Sequence, residues 1–287
     1  MLACPRFQLN LYSLPPSACF TSLQSLTLMA GWILLTCALA GTVTVHAETP
    51  EEKGLAIARE ADLRDTGFGD SSANLHMTLI APNGSTVTRE IRQKTLEVDG
   101  DGDQTIMVFD RPRDLKGTAV LTYTHKTEPD DQWLYLPALK RVKRISSSDK
   151  SGPFMGSEFA FEDLASQEVE KFTYRYLGDE ILDGDPCFVV ERIPLDEKSG
   201  YTRQVTWVDQ AEYRPRKIDY YDRKGELLKT MVMRNFQQYL EQFWRAEEMV
   251  MYNHQTQKST TLSYSDYQFR LGMQPQEFTR NALSNVR

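Results

Sequence analysis

Three acidic side chains close together in the sequence are the first candidates for catalytic chemistry. Glu158, Glu162 and Asp163 lie beside a short predicted helix, and two such carboxyl groups could act as general acid and general base. Acids in this position more often cap the helix or face water, because the first turn has free N–H groups and a positive dipole end. A hydrolase that uses Glu158 and Asp163 is therefore a minor hypothesis, and we expect no catalytic residues.

Metal sites and activated nucleophiles lack their usual patterns. His76, His125 and His254 fall on separate predicted strands or turns, without the spacing that zinc-binding histidines show. Ser157 lies outside any Gly-x-Ser-x-Gly motif and lacks the preceding strand and following helix of a nucleophile elbow. Cys187 begins a predicted strand and is expected to be a small buried residue. We therefore expect no metal, no cofactor and no enzyme activity.

The positive signal is a surplus of apolar residues in predicted strands. The segments Gln104 to Phe109 and Gln132 to Leu136 are apolar on both faces, so each face needs a cover. One cover is a sheet that curls on itself, and the other is a helix, a loop or an apolar ligand. A packed core and a ligand cavity explain this surplus equally well. Methionines would make such an interior adaptable to acyl chains of different length. They are Met77, Met107, Met155, Met231, Met233, Met249 and Met251.

Basic residues concentrate in one short strand. Lys140, Arg141, Lys143 and Arg144 alternate between its two faces, so they form no single basic stripe. They favour either a solvated edge strand or a contact for anionic lipid headgroups or an acidic partner. The formal net charge of the chain is −7, which argues against a nucleic-acid-binding protein.

The N-terminal part is predicted to be an export signal. The apolar run from Leu23 to Val45 ends before a small-residue cleavage site at Ala47. We therefore expect residues 1–47 to be a cleaved signal peptide and residues 48–287 to be one exported domain. Cleavage would remove every cysteine except Cys187, so no intramolecular disulfide is expected.

Three alternatives for this leader stay open. Translation could start at Met29, or the apolar run could remain as a membrane anchor, although its internal glycines and threonines leave it short of a full span. A lipoprotein signal around Cys37 ranks below simple secretion, because Thr36 stands where lipid-attachment sites usually have Gly, Ala or Ser. We expect no lipidation.

The exported part is predicted to be mainly β with few helices. Thr49-Pro50-Glu51-Glu52 starts a helix with a capping box, and the helix should end near Asp65. About a dozen strands with period-two patterning then follow, and short turns make consecutive strands antiparallel neighbours. So many strands in one sheet are expected to curl. The fold class is therefore α+β, with one strongly curved antiparallel sheet.

One long segment interrupts the strands. Residues 146–164, here called the lid segment, begin as a polar loop and become aromatic before a short predicted helix near Phe161. A loop of this length inside a β meander usually has a function. Its apolar residues need a place to pack, and a curled sheet offers a hollow. We therefore predict that this segment covers the hollow of the sheet. A further short helix is predicted from Gln274 to Leu283.

Several segments together resemble a known family. Phe109-Asp110-Arg111-Pro112, Gln132-Trp133-Leu134-Tyr135-Leu136-Pro137 and Phe154-Met155-Gly156-Ser157-Glu158-Phe159 resemble the outer membrane lipoprotein-sorting protein family, which is related to the LolA and LolB carriers. The resemblance extends over nearly all of residues 48–287. It implies an incomplete antiparallel β-barrel, with helices and a loop as a lid over a hydrophobic cavity, in the periplasm. It also implies similarity to proteins encoded beside resistance-nodulation-division type lipid exporters.

This resemblance leads to a set of expected site residues and partners. The ligand would be a lipid or an acylated lipoprotein, bound by a monomer that carries it towards the outer membrane or works with such an exporter. The alternative is a lipid sensor or protein-interaction module that does not transport. Phe159 and Phe161 match aromatic positions of the family motif. The residues expected to line the cavity or its lid are Phe109, Trp133, Tyr135, Phe154, Met155, Phe159 and Phe161.

Overall fold

The computed structural model describes residues 47–146 and 148–284. The predicted signal peptide lies outside the described residues except for Ala47, its last position. The described chain starts with a helix, continues with antiparallel strands and ends with two short helical turns.

Helix α1 (Pro50–Asp65) begins where the sequence predicts. Thr49 is the N-cap, and its hydroxyl accepts a hydrogen bond from the Glu52 backbone N–H at 3.1 Å. The Glu52 carboxylate in turn accepts one from the Thr49 backbone N–H at 2.8 Å, which completes the predicted capping box. The helix ends before Gly67, whose φ of 99° is readily adopted by glycine.

The strands agree with the predicted pattern, with ends that differ by a few residues. Most connections are short turns, as expected for a meander. The strands are β1 (Asp70–Ile80), β2 (Thr86–Leu96), β3 (Gln104–Arg111), β4 (Ala119–Tyr123), β5 (Asp131–Leu136), β6 (Arg141–Ile145), β7 (Phe172–Leu182), β8 (Asp185–Pro194), β9 (Arg203–Asp209), β10 (Pro215–Tyr221), β11 (Leu227–Tyr239), β12 (Phe243–Asn253) and β13 (Ser259–Phe269).

In the described residues all these strands form one antiparallel sheet. Its order is β6-β5-β4-β3-β2-β1-β13-β12-β11-β10-β9-β8-β7, so the first and last strands pair in the middle. Inner-face residues of strands as distant as β4 and β10 join one apolar cluster, as in Val120 and Ile218. The sheet is therefore strongly curved but open, because the edges β6 and β7 do not pair. This open, curved sheet confirms the predicted incomplete barrel. The lid segment begins directly after β6 and leads towards β7.

The outer face near β3, β4 and β5 is covered by the C-terminal segment. A 3₁₀ turn (Pro275–Phe278) and helix α2 (Arg280–Leu283) pack there, in the region where the sequence predicts a short helix. Phe278 and Leu283 are fully buried against this face. The strands that are apolar on both faces are thus covered by protein on each face.

Asp70 fixes the start of this C-terminal segment. Its carboxylate accepts hydrogen bonds from the backbone N–H groups of Leu271, Gly272 and Met273 at 2.7, 2.9 and 3.1 Å. A buried carboxylate requires such partners, because burial without them costs several kcal/mol. The first strand therefore determines where the chain turns after the last strand.

Helix α1 lies directly on β7, and Gly54 allows this contact. A Cβ atom at this position would lie 2.8 Å from the Tyr176 backbone nitrogen and 2.9 Å from the Arg175 carbonyl carbon. Alanine stabilises an exposed helix by about 1 kcal/mol relative to glycine. Here the backbone clash outweighs that gain, so we expect Gly54→Ala to lower the free energy of unfolding by about 1–3 kcal/mol in a urea titration.

The exposed position Arg59 on the same helix provides a control for this substitution. Arg59→Ala should change the free energy of unfolding by less than about 0.5 kcal/mol. A Gly54→Ala protein as stable as the parent would show that α1 does not press on the β7 backbone.

Candidate ligand-binding cavity

A large cavity lies between α1, the inner face of the sheet and the lid segment. Its volume is about 1160 Å³. Ligand sites for small molecules commonly measure about 300–1,000 Å³. Helix α1 contributes Ile57, Ala58 and Ala61 to the wall, and the lid segment contributes Phe159 and Leu164. The hollow of the curved sheet is thus only partly filled by the helix and the lid segment.

Apolar and aromatic side chains form much of the sheet wall. Tyr264 and Tyr267 stack with their ring centroids 5.7 Å apart. Burial raises the pKa of both phenols, so they remain neutral at physiological pH. Four methionines that the sequence suggested for an adaptable interior line this wall. The apolar and aromatic wall residues of the sheet include Met107, Ile218, Met231, Met233, Phe236, Met249, Tyr264 and Tyr267.

Five of the predicted site residues cluster at one end of the hollow. Of these five, Phe159 lines the large cavity, whereas the other four pack in the adjoining apolar cluster and are not part of its wall. They are Phe109, Phe154, Met155 and Phe161. The Phe154 ring lies 5.8 Å from that of Phe109 and 5.4 Å from that of Phe161, between centroids. Phe109, Phe154 and Phe159 are fully buried, and Met155 and Phe161 pack against the same cluster. The lid segment therefore fills this end of the hollow with aromatic rings.

Trp133 and Tyr135 require a correction. In β5 they alternate with Leu134, which packs in the inner cluster, so both point to the outer face. Trp133 packs there with Tyr123 at 5.0 Å between ring centroids, beneath the C-terminal segment. The sequence showed that β5 is apolar on both faces but did not show which face looks into the hollow. These two residues do not line the cavity.

A buried ion pair holds the lid segment on the sheet. The Lys229 Nζ atom of β11 lies 2.6 Å from the Asp163 carboxylate, and their side chains are only 5% and 1% exposed. Lys229 also donates to the Glu158 carbonyl at 3.0 Å, and the Tyr201 hydroxyl donates to Asp163 at 2.8 Å. The backbone N–H of Ala160 donates to the same carboxylate at 2.6 Å. Asp163 therefore connects the lid segment to β11 and to the connection between β8 and β9.

The other two acids of the lid segment also have structural partners. Glu158 accepts a hydrogen bond from the Asn253 side chain at 2.7 Å. Glu162 accepts from the Ser199 hydroxyl at 2.8 Å and from the Gly200 backbone N–H at 2.9 Å. Burial raises the pKa of Glu162. All three acids of the minor hydrolase hypothesis thus fasten the lid segment to the body of the protein.

Carboxyl groups are also found at the part of the cavity where α1 ends. Asp62, Asp103 and Glu168 line it there. Burial raises the pKa of Asp103 to about 6 and that of Glu168 to about 7, and the charges of Asp103 and Asp62 add to the shift of Glu168. Near neutral pH this part of the wall therefore holds protons that ordinary surface carboxyls would have released.

These raised pKa values predict a pH dependence of stability. Glu168 ordinarily titrates near 4.5, so it binds a proton more tightly in the folded state. Its contribution to stability is complete below about pH 4.5 and is lost as the pH rises through about 7. The Glu168→Gln variant does not have this pH-dependent contribution. Its unfolding free energy minus that of the parent should therefore increase by roughly 1–3 kcal/mol from pH 4.5 to pH 8. Denaturant titrations of both proteins across this pH range measure the difference in unfolding free energy.

The neighbouring exposed acid Glu170 provides the control. Glu170→Gln should show no comparable change relative to the parent over the same range. A stability difference for Glu168→Gln that is the same at both pH values would contradict a raised pKa.

The predicted basic cluster lies at one edge of the sheet. Lys140, Arg141, Lys143 and Arg144 are exposed on or beside β6, and Arg144 forms an ion pair with Asp131. The edge position is confirmed. A charged edge hinders pairing with another sheet. Contact with lipid headgroups or with a partner stays a prediction.

The histidines and the cysteine have local roles. His125 lies 2.7 Å from Asp101, His254 lies 2.8 Å from the Thr230 hydroxyl, and Cys187 is fully buried as expected. Within residues 47–146 and 148–284, no group of three or more His, Cys, Asp or Glu side chains is placed to hold a metal ion. In the same ranges, no helix has the length and hydropathy needed to span a membrane.

Sequence reasoning missed several residues that line the cavity or hold the lid segment. Lys229 and Glu168 gave no signal, because their burial depends on how the lid segment crosses the sheet. Arg192, in contrast, did give a signal in the sequence. It shares a face with Phe188 and Val190 by strand alternation, which places a cation on an otherwise apolar face. Ala58 and Ala61 of α1 also line the cavity, a role that the sequence did not indicate.

Comparisons with known proteins agree with this architecture. A protein-family model described as "Uncharacterized protein" matches residues 101–285. None of the curated proteins with which the chain was compared matches it. A crystal structure from Vibrio parahaemolyticus, described as an outer membrane lipoprotein-sorting protein domain, is 55% identical with a TM-score of 0.80, over 82% of this chain and 99% of that chain.

Two further crystal structures are similar. A DUF1329 family protein from Desulfovibrio piger is 30% identical with a TM-score of 0.78, over 82% of this chain and 99% of that one. A LolA superfamily protein from Nitrosomonas europaea is 22% identical with a TM-score of 0.65, over 80% of this chain and 98% of that one, which supports the fold alone. The chain belongs to the family of outer membrane lipoprotein-sorting proteins, and it shares the fold of the LolA superfamily protein.

Proposed function

We propose that this protein is a periplasmic carrier that shelters the acyl chains of a lipid or lipoprotein. The observation that supports the proposal most is the cavity of about 1160 Å³, with methionine and aromatic side chains in its wall. Burial of each acyl methylene group contributes about 0.8 kcal/mol, so binding requires no covalent chemistry. The adaptable methionine side chains suit acyl chains of different length and shape.

The lid segment would control access in this proposal. Phe159, Asp163 and Leu164 are lid-segment residues that line the cavity, and Phe154 and Met155 pack behind Phe159. A ligand that enters deeply would displace Phe159 and strain the Lys229–Asp163 ion pair. Loading would then need free energy from acyl burial or from a partner that loosens the lid segment.

The cellular setting is part of the proposal. Residues 1–47 would direct export, and residues 48–287 would act in the periplasm as a monomer without lipidation. The basic edge formed by Lys140, Arg141, Lys143 and Arg144 would contact anionic headgroups or an acidic partner. That partner could be an inner-membrane exporter of the resistance-nodulation-division type, and the cargo would move towards the outer membrane.

A second candidate is a lipid sensor or protein-interaction module on the same fold. Leu139 and Val142 support it, because these apolar side chains are 62% and 37% exposed beside the basic residues of the sheet edge. An exposed apolar patch that is surrounded by charged residues is typical of protein-interaction sites.

A transfer experiment tests the carrier function. Donor vesicles of phosphatidylethanolamine and phosphatidylglycerol with a fluorescent acyl lipid are mixed with unlabelled acceptor vesicles and residues 48–287. A carrier raises the transfer rate in proportion to its concentration. Lipid binding without faster transfer would favour the sensor, and the absence of both would contradict the proposal.

A further inference from the structure

Arg192 is a cation inside the cavity that lacks an anionic partner. It lies on the inner face of β8 and forms part of the cavity wall. Its Nε atom donates to the Gln204 side chain at 2.7 Å, and its guanidinium carbon lies 4.7 Å from the centroid of the Phe172 ring. Within residues 47–146 and 148–284, no carboxylate oxygen lies within 4.0 Å of its guanidinium nitrogens.

Arg192 is half-buried in the cavity wall, and charged groups withdrawn from bulk water are normally paired, because their desolvation without a partner costs free energy. Burial lowers the pKa of Arg192, although an arginine side chain stays charged at physiological pH. Gln204 and Phe172 stabilise only part of this cation. The terminal Nη1 and Nη2 atoms, whose N–H groups favour two parallel bonds to a carboxylate or phosphate, are left without a protein acceptor in the described chain.

The neighbours of Arg192 add polar groups at the same place. Tyr174 and Gln204 flank it in the strand register, and Thr206 lies two residues further along β9, on the same face as Gln204. The Thr206 hydroxyl is buried and has no hydrogen-bond partner among the described residues. Tyr174 and Thr206 also line the cavity. A cation, a phenol and an unpaired hydroxyl therefore face one part of the cavity wall.

The nearby acids do not satisfy Arg192. Asp163 is paired with Lys229 at 2.6 Å. Asp62, Asp103 and Glu168 also line the cavity but lie beyond ion-pair distance, and burial raises the pKa of each. They would weaken the attraction for an anion but leave the hydrogen-bonding positions of the guanidinium vacant.

We infer that the cavity binds an acyl amphiphile with an oxyanion, a carboxylate or a phosphate, which the Arg192 guanidinium contacts. This inference rests on the proposed function and narrows its ligand class. The acyl chain would lie along the methionine wall, and the oxyanion would accept hydrogen bonds from Nη1 and Nη2. The Thr206 and Tyr174 hydroxyls could supply further hydrogen bonds.

Binding of two matched pairs of probes to residues 48–287 tests this inference. Palmitate is compared with methyl palmitate, and palmitoyl lysophosphatidate with monopalmitoylglycerol, so each pair differs mainly in the charged group. Arg192→Gln should weaken binding of at least one anionic probe about 10- to 100-fold and change binding of the uncharged probes less than about twofold. Arg192→Lys, which keeps the charge but cannot bind bidentately, should give an intermediate loss.

Arg203→Gln is the matched control. Arg203 lies on the adjacent strand, points to the other face and pairs with Glu191 at 3.3 Å, so its loss should leave all four affinities unchanged. Selective loss for palmitate identifies a carboxylate, selective loss for lysophosphatidate identifies a phosphate, and loss for both identifies an oxyanion site of either kind. The unfolding midpoint of each variant, compared with that of the parent, shows whether the substitution has weakened the fold.

Two other outcomes separate the two proposals. Equal affinity of parent and Arg192→Gln for the anionic probes would overturn the inference and leave the acyl-binding function standing. Failure of the parent protein to bind any of the four probes would contradict the proposed function and the inference together.

Discussion

Lys229→Ala should lower the free energy of unfolding by about 3–5 kcal/mol, because it leaves a buried carboxylate without its counter-ion. The Asp163 side chain is 1% exposed, and the Lys229 Nζ atom lies 2.6 Å from its carboxylate. The remaining donors, the Tyr201 hydroxyl and the Ala160 backbone N–H, are neutral. Urea unfolding at pH 7 measures the loss. The lid segment should also exchange its amide hydrogens faster in this variant.

Two controls make this prediction specific. Lys94→Ala removes an ion pair with Glu277 whose side chains are 46% and 42% exposed, and should cost less than about 1 kcal/mol. The double variant Lys229→Met with Asp163→Asn should regain part of the stability, because no buried charge is then unpaired. A loss below about 1 kcal/mol for Lys229→Ala would mean that the ion pair does not hold the lid segment.

Filling the cavity should abolish most acyl binding while leaving the fold intact. Ala61 of α1 and Ala246 of β12 line it, so Ala61→Trp combined with Ala246→Trp places an indole from the helix and another from the sheet. Exclusion of about four methylene groups would cost about 3 kcal/mol, which corresponds to an affinity loss of about 150-fold. Titration with monopalmitoylglycerol measures this loss.

Ala56→Trp serves as the matched control, because Ala56 is exposed on the same helix and does not line the cavity. Its affinity should equal that of the parent. The single variant Ala61→Trp should lose less affinity for monopalmitoylglycerol. It keeps the prediction testable if the double variant folds poorly. Unchanged binding by a well-folded double variant would show that the acyl chain lies elsewhere.

Local patterns were sufficient to predict the elements of this fold. The capping box at Thr49, the period-two strands and the turns between them act over a few residues, so they are visible in the sequence. The meander followed from the short connections. Pairing of β1 with β13 was not predictable in this way, because it joins segments at opposite ends of the described chain.

The site was harder to predict because lining a cavity is a property of the whole curved sheet. Hydrophobicity alone could not distinguish Trp133, on the outer face, from Leu134, on the inner face. Phe159 was identified because the lid segment stood out as a long aromatic loop. Arg192 was overlooked among many charged strand residues, although its alternation with Val190 placed it on an apolar face.

Native mass spectrometry of the chain from Glu48, purified from the periplasm without detergent, tests the central claim most directly. Solvent extraction would then identify any adduct. If the cavity shelters acyl chains, a fraction of the protein should have the added mass of an acyl lipid or an acylated peptide. A single apo mass that stays unchanged when lipids are added would contradict the carrier function and favour a protein-interaction module.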